Sequence, residues 1–211
     1  MEDAKLANPA VLGLTCFGMT TILLNLHNAG LFKQDAPILA MGIFLGGLVQ
    51  IMAGAMEFKK GNTFGMTAFS AYGAFWLTLV FIIMVKPNVM SNLGLDPSAR
   101  GFAWYLLLWG LFTACMFVGT LKANRVLQAV FAQLFVLFIL LAVHFAYFTK
   151  AGSSGAVLKT AGIVGILTGA SAIYLAIAEL LNEMYGKVVL PIGPMAGANK
   201  NPGDLYEEAS A

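Results

Sequence analysis

The side chains in this sequence that could hold a solute are mostly uncharged. Asn8, Thr20, Thr21, Asn25 and Asn28 fall along one apolar stretch. Gln50 lies in a second, Thr67, Ser70, Tyr72 and Thr78 in a third, Gln128 and Gln133 in a later one, and Thr168, Ser171 and Tyr174 in the last. Amides and hydroxyls supply hydrogen-bond donors and acceptors without a fixed charge. Bonding between helices accounts for any one of them, because a polar group in hydrocarbon must find a partner; their number argues for a wet cavity. Ionisable groups in the apolar stretches are few. Glu57, Lys122, Glu179 and Glu183 sit toward one end of their segments, and His27 and His144 toward the other. An ionisable residue at membrane depth is a functional candidate, whereas at a segment end it also serves as an interfacial anchor or ion-pair member. Both readings stand for Glu57 and Glu179. With no ring of cations at mid-depth, an anion would be held by neutral donors and helix N-termini, a weak and fast mode of binding. HExxH, GxSxG and a mid-depth pair of acids are all missing, which argues against an intramembrane enzyme. No Cys or His spacing suggests a metal, and no cofactor is expected.

The elements that must position these groups follow from composition. The 211 residues are 59% hydrophobic and 10% charged, with mean hydropathy +0.82. A soluble chain carries about 25% charged residues, and one this short must leave a large polar exterior; lipid is the solvent that accepts the excess. Six stretches reach the length of about 20 apolar residues that a spanning helix needs: Pro9–Ala29, Pro37–Met56, Phe64–Val85, Phe102–Leu121, Val126–Phe148 and Val157–Asn182. The fold class is therefore all-α, a polytopic membrane protein with six transmembrane helices. Residues 1–190 form the single transmembrane domain, and 191–211, rich in Pro, Gly, Asn and Glu, read as a flexible tail. Pro9 and Pro37 suit first turns. Met1–Leu12 lack the pattern of a cleaved signal, so the first stretch reads as a retained span.

With the N-terminus inside, Lys5, Lys59, Lys60, Lys122, Arg125, Lys187 and Lys200 are cytoplasmic and Lys33, Lys86, Arg100, Lys150 and Lys159 external. That bias places both termini in the cytoplasm. The net charge of +2 forms no basic stripe, which excludes nucleic acid as a partner. Cys16 and Cys115 read as small buried hydrophobes. Gly42 with Gly46, and Gly165 with Gly169, lie at helical spacing, fitting either close packing within one protomer or a subunit interface. The tetrad Phe-Gly-Met-Thr occurs at 17–20 and 64–67, a possible trace of an internal repeat.

Several runs together carry a resemblance. Asn8-Pro9-Ala10-Val11-Leu12-Gly13-Leu14 resembles the signature Asn-Pro-Ala-Pro-Leu-Gly-Leu of the acetate uptake transporter family, with Val11 in place of its second proline. Phe17–Asn28, Lys59–Gly65, Tyr72–Thr78, Gly169–Ala176 and Val189–Gly193 continue the likeness over all but about the last fifteen residues. The resemblance implies a six-helix protomer with its own substrate path, assembled as a hexamer in a bacterial inner (cytoplasmic) membrane. It implies transport of acetate and, in some members, succinate, with protons or as an anion flux. It further implies a constriction of a Phe, a Tyr and a Leu, which by motif position are Phe17, Tyr72 and Leu134. By depth, Thr20, Asn25 and Asn28 are expected along the path toward its outer end, and Asn8, Gln50 and Glu57 at its inner end. A channel for neutral small solutes is the alternative that amides, hydroxyls and an apolar neck serve equally well, and a structural membrane protein is a further one.

Overall fold

The computed structural model describes residues 6–84, 98–149 and 155–195. Among them six helices are long and apolar enough to cross a membrane. We number them α1 (Pro9–Asn28), α2 (Ala36–Lys59), α3 (Thr63–Met84), α4 (Ala99–Thr120), α5 (Arg125–Tyr147) and α6 (Ala156–Tyr185). The expected loop at Lys86-Pro87-Asn88 and most of the one at Gly152–Gly155 lie outside the described residues, as do Lys5, Lys150 and Lys200.

Helix starts follow capping chemistry. Asn8 caps α1 by accepting from the Ala10 amide, Ser98 caps α4 through the Gly101 amide at 2.9 Å, and Asn124 caps α5 through the Leu127 amide at 2.8 Å. Ser98 explains why α4 begins before Phe102, where the apolar run starts. The expected stop of α2 at Met56 is also too early. The helix continues to Lys59 because Glu57 is buried and held by Asn62, so a charge here does not end the span. At its far end α6 passes Asn182 and closes on Gly186, whose φ of +62° is the left-handed conformation that glycine adopts at low cost.

Packing pairs α1 with α6, α2 with α3 and α4 with α5. Both glycine pairs serve contacts inside the protomer. Gly42 and Gly46 receive Val80 and Trp76 of α3, and Gly165 and Gly169 receive Asn25 and Ile22 of α1. Residues 42–49 of α2 adopt π-helical geometry, in which Gly42, Gly46 and Gly47 let α3 approach closely. Cys16 is buried, whereas Cys115 is exposed on α4, among the outward-facing Trp104, Leu108, Leu111 and Val118. Such apolar exteriors on several helices suit lipid.

The three alternate helices α1, α3 and α5 match one another in a register that the repeated tetrad does not indicate. Ala10, Leu14 and Phe17 have the same spacing as Gly65, Phe69 and Tyr72 and as Leu127, Phe131 and Leu134. Farther along, Thr21, Leu24 and Asn28 match Trp76, Leu79 and Ile83 and then Phe138, Leu141 and Phe145. Phe17 thus corresponds to Tyr72. The tetrads occupy different levels: Gly18 packs on Gly169 of α6, while Gly65 lies over Asn62 and Glu57 near a helix end.

Residues 189–195 return to the bundle. Tyr174 Oη donates to the Pro191 carbonyl, and the Asn182 side chain holds the Val189 and Leu190 backbone. The amides of Arg125 and Val126 donate to the Gly193 and Ile192 carbonyls, satisfying the first turn of α5. Residues 196–211 lie outside the described residues.

Candidate functional site

Two cavities lie end to end between the matched helices. The first, of about 410 Å³, opens toward the ends of α1 and α5 that carry His27 and Phe145. Its polar lining is Thr21, Asn25, His27, Asn28 and Gln34 against walls of Leu, Ile and Phe. The second, of about 380 Å³, opens at the opposite end, with Gln50, Asn62, Lys122, Asn124 and Glu179 among its lining. Among the described residues, Phe17, Tyr72 and Leu134 are the side chains that line both cavities. They are the equivalent positions of α1, α3 and α5, all deeply buried at 7%, 3% and 3% exposure.

Tyr72 is the most constrained of the three. Its ring lies 6.1 Å from that of Phe17 and 6.0 Å from that of Phe131, with Trp109 and Phe112 of α4 within 5.9 Å. Its hydroxyl hydrogen-bonds Thr113 Oγ1 at 2.8 Å, while Thr113 donates to the Trp109 carbonyl. Both ends of the side chain are therefore tied, and the ring's polar tip is turned into α4.

The remaining expected path residues separate into two groups. Asn25 and Asn28 line the first cavity; Asn28 Nδ2 donates to Asn25 Oδ1 at 3.0 Å, and Asn25 Nδ2 to the Thr21 carbonyl. Gln50 lines the second, and its Oε1 is buried without a partner among the described residues. Thr20 is not among the lining residues: its hydroxyl is spent on the Cys16 carbonyl and its methyl faces Gly46. Thr21, one residue on, takes the cavity position. Four-residue spacing puts it in line with Phe17 and Asn25, which is the signal that identifies it.

Asn8 and Glu57 lie behind the second cavity's wall. Asn8 Nδ2 donates to Glu179 Oε2 at 2.8 Å, and Lys60 Nζ donates to Asn8 Oδ1 at 2.8 Å. Glu57 is fully buried; its Oε2 accepts from Asn62 Nδ2 at 2.7 Å, and its Oε1 has no partner among the described residues. Asn62 in turn accepts from the Gly65 amide at 3.0 Å. The same device therefore occurs twice, an asparagine at a helix start joined to a glutamate of the packed neighbour. The sequence names Lys122 only as an ionisable group at a segment end, and Asn62 and Asn124 are not distinguished because they stand in loops; their signal is the pattern Lys-x-Asn at 60–62 and 122–124. No group of three or more potential metal ligands occurs among the described residues.

The lining suits a small, partly apolar solute. Hydroxyl and amide groups stand on either side of an aromatic and aliphatic neck, and the second mouth adds Lys122 and Glu179. The sequence pattern of the GPR1/FUN34/yaaH family matches residues 1–197. The chain is 57% identical over 195 residues to the succinate–acetate/proton symporter SatP of Escherichia coli K12, covering 92% of this chain and 98% of that one. It is 34% identical over 203 residues to acetate permease A of Emericella nidulans, covering 91% and 67%. It is 39% identical over 195 residues to ammonia transport outward protein 2 of Saccharomyces cerevisiae, covering 88% and 66%. Among solved structures, that of the bacterial acetate channel SatP superposes with a TM-score of 0.79 at 58% identity, covering 90% of this chain and all of that one.

Proposed function

The chain belongs to the GPR1/FUN34/yaaH family, and from that premise we propose that it carries acetate, with succinate as the second substrate, across a bacterial inner membrane. The observation that carries this reading is the pair of cavities meeting at Phe17, Tyr72 and Leu134 in a chain 57% identical to a succinate–acetate/proton symporter. The three residues are the constriction. An ionised carboxylate crosses such a neck at a high desolvation cost, and a free carboxylic acid is almost wholly ionised at pH 7. The neck therefore favours the methyl end of acetate and the protonated acid, or brief passage of the anion between the polar groups of the two cavities. Both termini are cytoplasmic, so the cavity with Gln50 and Glu179 is the inner one, and Asn25 and Asn28 flank the outer one. Asn8 and Glu57 support the inner mouth. Six protomers assemble in the membrane, each with its own path.

The test is uptake of radiolabelled acetate by proteoliposomes of the purified protein, with membrane potential and pH gradient imposed separately. Uptake driven by the pH gradient with no net charge moved identifies proton symport. Uptake that follows the potential without a pH gradient identifies an anion channel. No acetate uptake under either force contradicts the proposal. The mostly uncharged lining and the likeness to an ammonia transport protein favour one second reading, a channel for neutral small solutes. Equal permeation of acetamide and acetate, with no acetate current, would support it.

A further inference from the structure

The three helix starts that face the second cavity are not equivalent in one respect. Asn8 donates its Nδ2 to Glu179, and Asn62 donates its Nδ2 to Glu57, five residues before it. Asn124 is the third member: it caps α5 as Asn8 caps α1, stands after Lys122 as Asn62 stands after Lys60, and lines the second cavity. The residue five before it, where the glutamate would stand, is Gly119. The Phe64 ring packs over Gly119, 2.9 Å from where a Cβ would lie, so the chain supplies no carboxylate at this position. Asn124 is 9% exposed, its Oδ1 is committed to the Leu127 amide, and its Nδ2 donates to no described group. The capping bond leaves Nδ2 as the end of the amide not used by the helix start.

We propose that the substrate's carboxylate takes the place of the missing third glutamate, binding Asn124 Nδ2 with Lys122 as its counter-charge. This rests on the acetate reading and gives it an inner subsite. The two partnered asparagines show what this side-chain arrangement accepts, a carboxylate oxygen at 2.7–2.8 Å. A hydrogen bond to a charged acceptor is among the stronger ones, and the first turn of α5 adds favourable potential for an anion. Phe64 and Phe131, in contact at 5.5 Å between ring centres, supply an apolar wall for the methyl group. The acids near this mouth are Glu57, Glu179 and Glu183, and the cations Lys60 and Lys122. Glu57 and Glu179 are engaged with Asn62 and Asn8, which leaves Asn124 and Lys122 as the pair that meets an incoming anion.

Asn124→Asp is the direct test, because aspartate keeps the cap and replaces the donor with a like charge. The half-saturation concentration for acetate presented at the inner side is measured in proteoliposomes, beside acetamide permeation. The expected result is a rise of roughly tenfold or more for acetate with acetamide unchanged. Lys122→Gln, which leaves the cap untouched, should raise it by a smaller factor and serves if the first variant fails to assemble. A half-saturation within about twofold of wild type in the variants that assemble would overturn the subsite while leaving acetate transport standing. Absence of acetate flux in the wild type would instead overturn the transport reading itself.

Discussion

At the residue scale, the chemistry rests on a few side chains whose surroundings differ from what their types suggest. Tyr72 lines both cavities yet spends its hydroxyl on Thr113, so its ring, and not its polar tip, is what it presents where they meet. Tyr72→Phe should cost about 1 kcal/mol of stability, the net worth of an ordinary hydrogen bond, and leave selectivity among carboxylates as it was; thermal unfolding in detergent and competition flux assays measure the two effects. Glu57 is buried with one oxygen held by Asn62 and the other without a partner. If it accepts the co-transported proton, Glu57→Gln keeps the bond from Asn62 and abolishes the dependence of acetate uptake on external pH. A pH profile identical to that of wild type would remove Glu57 from coupling. That Phe17, Tyr72 and Leu134 would stand together was legible through family motifs, since an aromatic on an apolar helix otherwise reads as core. Thr21 was named among the polar candidates but not placed on the path, and Asn124 was not singled out. Thr21 differs from Thr20 only by helix rotation, and Asn124 acquires meaning only when three helix starts are laid together.

At the element scale, helix pairs are brought together by glycines whose missing side chains are filled by the partner. A Cβ at Gly18 would lie 2.6 Å from Ile173 Cγ1 and 2.8 Å from the Gly169 carbonyl. Gly18→Ala should therefore destabilise the bundle by about 1–3 kcal/mol, the usual cost of overpacking, whereas Gly155→Ala, with no neighbour within 4 Å, should leave the unfolding temperature unchanged. Equal behaviour of the two variants would mean that α1 and α6 are not held by this contact. Six spans were legible from apolar length alone. The ends of α2 and α4 were not, because a buried glutamate and a serine cap extend these helices past the apolar run. The internal match of α1, α3 and α5 was hidden because inward-facing positions keep their spacing while their residue types change. The tetrad that does repeat in sequence stands at unrelated depths.

At the scale of the whole molecule, two cavities with a few polar groups on largely apolar walls, meeting at Phe17, Tyr72 and Leu134 inside a bundle with an apolar exterior, suit a protein that moves a small amphiphilic acid. The charge bias predicts that Lys33 is external and Lys187 cytoplasmic. In intact cells, with Cys16 and Cys115 replaced by serine, a membrane-impermeant thiol reagent should label Lys33→Cys and spare Lys187→Cys; the reverse would invert the topology. The central claim is that all solute passes between Phe17, Tyr72 and Leu134. Its most direct test is the flux ratio of a bulkier monocarboxylate such as butyrate to acetate, measured in proteoliposomes of Phe17→Ala, Tyr72→Ala and Leu134→Ala. A wider neck should raise that ratio in each variant that assembles as the wild type does. Ratios and acetate rates unchanged from wild type in all three would contradict the account.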